Sequence, residues 1–324
     1  MLRNRRARGI AAQVAGAVCL LALLVLLGET LRQNLLRLNL TTGFDFLLRP
    51  AGMRMGESVL PFDANDSFAW AIVVAGLNTL RVSAAAIVLA TVLGVSVGLL
   101  RLSPNPLLRA ITGAYVEAFR NTPVLLQILV WSAILLRLPP IKQALSLGGW
   151  VFLSQRGMQV PGVAFHDGAL AVDWPVKHLF GFSGGLTLTP EFCALALGLI
   201  AYHATYIAEI TRAGILAVPK GQWEAARSLG LHGGTIIRRI VLPQALRVML
   251  PSITSQYAGI IKNSSLAVAI GYPDLFWAVS TAINVTGHAI EGVAVLMAAY
   301  LVLTLGTAGM MNFWYGRMLR RGAR

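Results

Sequence analysis

Six long stretches of this chain are apolar and nearly free of charge, and polar segments marked by proline and glycine separate them. The first, residues 10–28, holds nineteen residues without a charge after a start that carries Arg3, Arg5, Arg6 and Arg8. At about 1.5 Å per residue such a run is long enough to cross the hydrocarbon of a bilayer. Glu29-Thr30-Leu31 lacks a small-x-small cleavage site, so the run predicts an uncleaved first helix that starts in the cytoplasm, not a leader that is removed. Residues 82–100 form a second uncharged run, with Gly94 and Gly98 spaced to let another helix come close. Stretches 110–136, 192–208, 245–269 and 292–316 predict four further crossings, the last closed by Trp314 and Tyr315 as interface anchors. Between them, 29–69 is mixed, with Pro50 and Pro61 as breakers and with Phe44, Phe46, Leu47 and Leu48 placed to skim the interface or cover helix ends. Residues 103–106 make a tight turn flanked by Arg101 and Arg109, and 271–289 reads as an outer connection. Residues 137–190 are a long insertion punctuated by Pro139-Pro140, Gly148-Gly149, Pro161-Gly162 and Gly184-Gly185.

Composition changes the picture little: 56% of the residues are hydrophobic and 12% charged, with mean hydropathy +0.69, against roughly a quarter charged in a soluble domain. This is the composition of an integral membrane protein. The net charge of +14 does not imply nucleic acid, because such a partner needs positive charge clustered on a soluble face, and here it flanks apolar runs. Its distribution sets orientation instead. With both termini in the cytoplasm, sixteen lysines and arginines fall in inner segments and eight in the longer outer ones, and Glu224 is the only acid in an inner loop. Cys19 and Cys193 lie within apolar runs and read as buried thiols. His166 and His178 stand twelve apart with no ligand cluster around them, so no metal is read there. No lysine follows a glycine, so the chain has no G-x-x-x-x-G-K-[ST] phosphate loop, and no nucleophile-base pair supports catalysis.

Residues 219–243, PKGQWEAARSLGLHGGTIIRRIVLP, interrupt the apolar pattern most sharply. Residues 222–229 are rich in helix formers, and Gly230 supplies a left-handed end. Gly233 and Gly234 loosen the link, 235–241 can form another turn or two, and Pro243 fits the first turn of the next helix. Arg227, Arg238 and Arg239 reach toward lipid headgroups or a partner protein, while Ala225 and Ala226 leave room for a groove wall. An ordinary basic loop between membrane helices fits the same residues. Beyond that reading, Glu224-Ala225-Ala226, Gly230, Ile240, Leu242 and Pro243 resemble the full EAA signature of ATP-binding-cassette importer permeases, with its internal spacings kept. The resemblance implies a coupling helix seated on an ATPase subunit, with Glu224, Ala225, Ala226 and Gly230 at the contact.

Other segments extend the likeness. Residues 115–123, Tyr-Val-Glu-Ala-Phe-Arg-Asn-Thr-Pro, resemble the YVE-x-x-R-x-TP motif of amino acid permeases, Gly76-Leu77-Asn78-Thr79-Leu80 resembles the start of their transport core, and 261–266 resembles their K-x-(T/S)-S-L segment. The chain is similar to the polar amino acid (MetI-like, HisMQ-type) permeases over 70–316. Its first helix, its outer segment with Gly43-Phe44-Asp45-Phe46-Leu47 and its insertion resemble the Q-type subunit of general L-amino acid importers. The expected fold is an all-α integral membrane protein: a MetI-like five-helix core plus one additional N-terminal transmembrane helix. It divides into 1–69, a core 70–316 with insertion 137–190 and loop 219–243, and a cytoplasmic tail 317–324.

Polar residues inside the apolar runs are the candidates for a path. Glu117 and Arg120, three apart, share a helical face; they can pair as a clamp or line a route with Asn121. Tyr202, Tyr206 and Glu209 share another face, and His203 fits a packed polar role. Lys262, Asn263, Ser264 and Ser265 fall midway along a crossing, where a lone lysine must pair, with Glu117 or Glu209, or else face water or substrate. The resemblance implies the permease subunit of an ATP-driven L-amino acid importer in a bacterial inner membrane. Its partners would be a second permease, expected to be a different chain, an ATPase dimer that carries ATP and Mg, and a periplasmic amino-acid-binding protein, which the insertion could touch as an exposed cap. No cofactor is expected in this chain. An ion- or proton-coupled secondary carrier is the alternative; it would show paired repeats and more ionisable groups at mid-membrane. A passive membrane anchor is disfavoured by the buried polar residues.

Overall fold

A row of small side chains on one face of α2 (Phe68–Leu100), Ala86, Ala90, Gly94 and Gly98, lets α5 (Pro190–Leu216) approach until backbones nearly touch. A methyl group on Gly94 would lie 2.7 Å from Cβ of Ile207, and one on Gly98 would lie 2.6 Å from the carbonyl oxygen of Ala208. Neither position has room for a side chain, which is the packing the glycine spacing predicts. Around this pair the core gathers Val82, Ile128, Phe192, Leu195, Leu199, Ile207, Ile260 and Tyr272. The computed structural model describes residues 5–37, 43–166, 169–178 and 181–321. Arg3 and Arg324, which entered the charge argument, lie outside the described residues.

The predicted crossing 110–136 is two helices, α3 (Pro106–Arg120) and α4 (Val124–Leu136), whose axes bend by 102°. Pro123 is the cause: it has no N–H to continue the ladder and starts α4 in a non-helical conformation. Gln127 Nε2 closes the break by donating to the carbonyls of Phe119 (2.7 Å) and Thr122 (2.9 Å). After α5 come the short α6 (Lys220–Ser228) and α7 (Gly233–Ile236), a wide π turn Ile237–Val241, and α8 (Leu242–Asn263), which tightens into a 3-10 stretch Ser264–Ile270. The supposed outer connection 271–289 contains a twelve-residue helix, α9 (Leu275–Thr286), capped by Asp274 through Trp277 N (2.8 Å) and bent 53° from the preceding segment. The last helix is α10 (Ala289–Arg321), and the first, α1 (Arg5–Arg37), is covered nowhere along its apolar window. Cys193 is buried, but Cys19 stands on the exposed surface of α1, a correction to the expectation for both thiols.

Among the described residues four helices are individually long and apolar enough to cross a membrane, Arg8–Asn34, Phe68–Leu100, Pro190–Leu216 and Ala289–Arg317; each bent pair counted as one crossing makes six. The all-α membrane core is therefore as expected, but the insertion is not a turn-rich loop. Its strands are β1 (Leu145–Leu147), β2 (Val151–Ser154), β3 (Gly157–Val160), β4 (Gly162–His166), β5 (Ala169–Asp173), β6 (Val176–Lys177), β7 (Phe182–Ser183) and β8 (Leu186–Leu188). They form an antiparallel sheet β1-β2-β3-β8 and two hairpins, β4-β5 and β6-β7. Met158 and Leu188 pack on the helical core. Gly157 has a φ of +102° and no space for a Cβ against the Leu188 carbonyl, which fixes the β3-β8 join above the start of α5.

Candidate functional site

The loop 219–243 stands at one end of the bundle and is held there by apolar packing. Val218, Ala226, Ile236, Val241, Ala245, Met249 and Ile253 form its seat, with Trp223 and Ile240 at the edge. Gly230, at φ +70°, ends α6: Leu231 N donates to the Ala226 carbonyl (3.2 Å) and Gly230 N to that of Arg227 (2.9 Å). This is the paired bonding of a glycine-terminated helix. Pro243 occupies the first turn of α8, as predicted. Ala226 is only 2% exposed, its methyl pressed into this chain's own seat, so its smallness serves the fold of the loop. Glu224, Ala225 and Arg227 are exposed and form the free face of α6.

Above the loop, a polar seam runs between α2, α3, α5 and α8. Glu209 pairs with Arg101 at the end of α2 and with Arg212 of its own helix (3.0 Å). Glu117 and Arg120 do not pair with each other among the described residues, because the Arg120 guanidinium lies over the Tyr206 ring, 4.8 Å from its centroid. Tyr206 in turn meets Tyr202, hydroxyl to hydroxyl, at 3.0 Å. Both ring nitrogens of buried His203 are used, Nδ1 toward Gln256 Oε1 (3.0 Å) and Nε2 accepting from Asn263 Nδ2 (3.1 Å), which joins α5 to α8. Ser264 is fully buried and donates to the Ile261 carbonyl (2.7 Å), while Ser265 donates to that of Lys262 (2.8 Å). Those hydroxyls shape the switch from α to 3-10 helix. Lys262 ends up exposed, and neither Glu117 nor Glu209 is its partner among the described residues. Asn121, the C-cap of α3, is exposed at the bend.

The opposite end holds residues that the motifs did not single out by role. Asn78 Nδ2 donates to the carbonyls of Glu57 and Pro273 (both 2.9 Å), and its Oδ1 accepts from Val59 N (3.1 Å). Thr79 Oγ1 accepts from Leu275 N (3.0 Å) and Tyr272 donates to the Asn78 carbonyl (3.2 Å). One step along, Arg81 pairs with Glu57 (2.5 Å) and lies over the Phe192 ring, while Thr189 bonds the second Glu57 oxygen. The strap 43–67 is thereby tied to α2, α5 and the turn before α9. It also covers them: Phe46, Ala51 and Met53 pack on Phe68, Ala71, Ala75, Ala278 and Ala282, and Phe46 stacks on His288 at 4.9 Å. Arg81 was the available signal, a lone arginine next to an uncharged run.

No group of three His, Cys, Asp or Glu side chains among the described residues could hold a metal ion. The arrangement offers a contact, a polar seam and a fixed far end. The chain is 39% identical to the putative amino-acid ABC transporter permease protein YhdX of Escherichia coli (strain K12), over 94% of this chain and 93% of that protein. It is 35% identical to the general L-amino acid transport system permease protein AapQ of Rhizobium johnstonii, over 96% and 92%. Among solved structures, an amino acid ABC transporter crystallised with histidines matches with a TM-score of 0.57 at 24% identity, over 77% of this chain and 95% of that one. An inward-facing MetNI methionine ABC transporter matches at 0.51 and 19%, over 79% and 97%. At these identities the two structures speak to the fold alone. Residues 90–320 match the family described as binding-protein-dependent transport system inner membrane component, so the chain belongs to that family of transporter permeases.

Proposed function

We propose that the chain is the permease subunit of an ATP-driven importer of L-amino acids, seated in a bacterial inner membrane with loop 219–243 and both termini in the cytoplasm. The observation that carries the reading is the loop itself: a glycine-terminated helix, fixed on an apolar seat, turns Glu224, Ala225 and Arg227 outward at the end of an apolar bundle. That face docks on a separate ATPase dimer, which holds ATP and Mg; Gly230 contributes by ending the helix and Ala226 by anchoring it. Substrate class follows from the relatives, two of which are named as amino-acid permeases. Half of the route is lined by Glu117, Arg120, Asn121, Tyr206 and Lys262, which stay exposed or half-buried in the single chain. Glu209, Asn263, Ser264 and Ser265 hold that lining in shape through the bonds described above. A second permease, of a different chain, supplies the other half, and a periplasmic binding protein delivers the solute.

Purified alone, the chain is expected to hydrolyse no ATP. In proteoliposomes with its partner permease, ATPase and binding protein, it is expected to take up labelled L-amino acids only when ATP is enclosed. Uptake that ignores ATP and follows an imposed proton or sodium gradient would instead establish a secondary carrier.

A further inference from the structure

The β insertion presents a strand whose amphipathicity is inverted. From β5 onward Leu170, Val172, Trp174 and Val176 all face away from the chain, while Ala171 and Asp173 between them are half-buried and Pro175 is buried. Val163 of β4 stands opposite Val172 in the hairpin register. These five side chains are 53% to 72% exposed. A half-buried strand normally turns its apolar side inward, and an isolated two-stranded hairpin is marginal in water without a covered face. The five present on the order of 500 Å² of apolar surface, the range in which an exposed patch on a monomer marks a contact. Matched by an equal area on a partner, the total of about 1,000 Å² suits a transient complex.

Charge narrows the partner. Lys177 and Arg156 are exposed on the same module, and its sole carboxylate among the described residues, Asp173, is occupied by Gly185 N at 3.0 Å. The module is also rigidly mounted: Met158 and Leu188 pack on the helical core, and Thr189, directly after β8, bonds Glu57 of the strap and caps α5 through Phe192 N. The insertion joins α4 to α5 and so lies at the end of α5 away from loop 219–243, and the family to which the chain belongs is described as binding-protein-dependent. We infer that the face formed by Val163, Leu170, Val172, Trp174 and Val176, flanked by Lys177 and Arg156, is the docking surface for the soluble binding protein, through an apolar patch on that protein rimmed by acidic residues. This rests on the importer reading above.

The test uses the whole importer in nanodiscs, titrated with the binding protein of the same system while ATP hydrolysis is followed. Replacing Leu170, Val172 and Trp174 together by Thr keeps β propensity and removes the patch. The expected result is a basal rate equal to wild type and at least a tenfold rise in the half-saturating concentration of binding protein. Lys177→Glu should raise it by a smaller factor and flatten its dependence on salt. Because the triple variant tests the module's folding as well, a second arm labels Val172→Cys, in a Cys19→Ser background, with a bulky maleimide after purification; the same loss is expected. Unchanged half-saturation in both arms overturns the inference. So does a basal rate that becomes sensitive to anionic lipid in the nanodisc while binding-protein titration stays normal, which would place the patch on the membrane. A wild-type importer stimulated only when its binding protein carries some other solute would overturn the amino-acid reading, and the patch test then runs unchanged with that solute.

Discussion

The two ends of the bundle are held by different physics. At the strap end, Asn78, Thr79, Arg81, Glu57 and Thr189 form directional bonds that join the strap, α2, α5 and the turn before α9. At the loop end, α6 rests on aliphatic side chains, and α2 meets α5 through the Glu209 pairs. Buried bonds of fixed geometry hold one arrangement and are lost as a unit, whereas an apolar seat keeps most of its energy through small shifts of the groups on it. An importer needs one end that keeps its shape and one that can be turned by a partner. The distribution of polar bonds assigns those parts to the strap end and the loop end.

The largest expected effect breaks the fixed end. Arg81→Met strands the Glu57 carboxylate, whose side chain is 9% exposed. Removing one member of a buried pair in this way costs about 3–5 kcal/mol. Thermal unfolding of the purified importer should drop steeply and the strap should become sensitive to protease, while Arg81→Met combined with Glu57→Gln should recover part of the loss. A wild-type melting temperature for the single variant would show that the pair does not hold the strap.

A pair of neighbouring alanines sharpens the contrast at the other end. Ala226→Trp forces an indole into a seat with no space for it, a destabilisation of about 1–3 kcal/mol, and should lower the melting temperature and ATPase retention together. Ala225→Trp, on the exposed face, should leave the melting temperature unchanged and still reduce co-purification of the ATPase. The reverse pattern would mean that α6 is turned the other way in the assembly.

Those alanines also show what was legible in the sequence. The end of α6 at Gly230 and the restart at Pro243 were readable because each depends on the conformation of one or two residues. Which alanine faces this chain's own seat was encoded as well, in the three-residue spacing of half-buried Trp223 and buried Ala226, whereas small size alone did not distinguish Ala226 from exposed Ala225. Asn78 belonged to a recognised motif, yet its role depends on Pro273, 195 residues away, which no local pattern reports. Separation in sequence likewise hid the pairing of Glu209 with Arg101 in place of Lys262. In the insertion, period-2 alternation through 170–176 signalled a strand, but the glycine and proline pairs around it read more strongly as turns.

Little change in stability is expected at Lys262 either, which lies between the two ends at the switch from α to 3-10 helix. Two accounts compete for it, a buried pair and a place on the route. Glu209 is already committed to Arg101 and Arg212, Glu117 does not reach Lys262, and the lysine is exposed in the single chain. A substitution that removes no buried partner usually stays within about 0.5 kcal/mol, so Lys262→Met should assemble normally and melt with wild type. Transport is where the loss should appear: a lysine facing the route offers a point charge to a carboxylate, so uptake should fall and Lys262→Arg should restore part of it, since charge is kept though geometry differs. Measuring melting temperature and ATP-dependent uptake on the same preparations separates the accounts. A fall in melting temperature as large as that of Arg81→Met would mean that assembly buries Lys262 against an acid of the second permease, and the lysine would then belong with the bonds that hold shape instead of with the lining of the route.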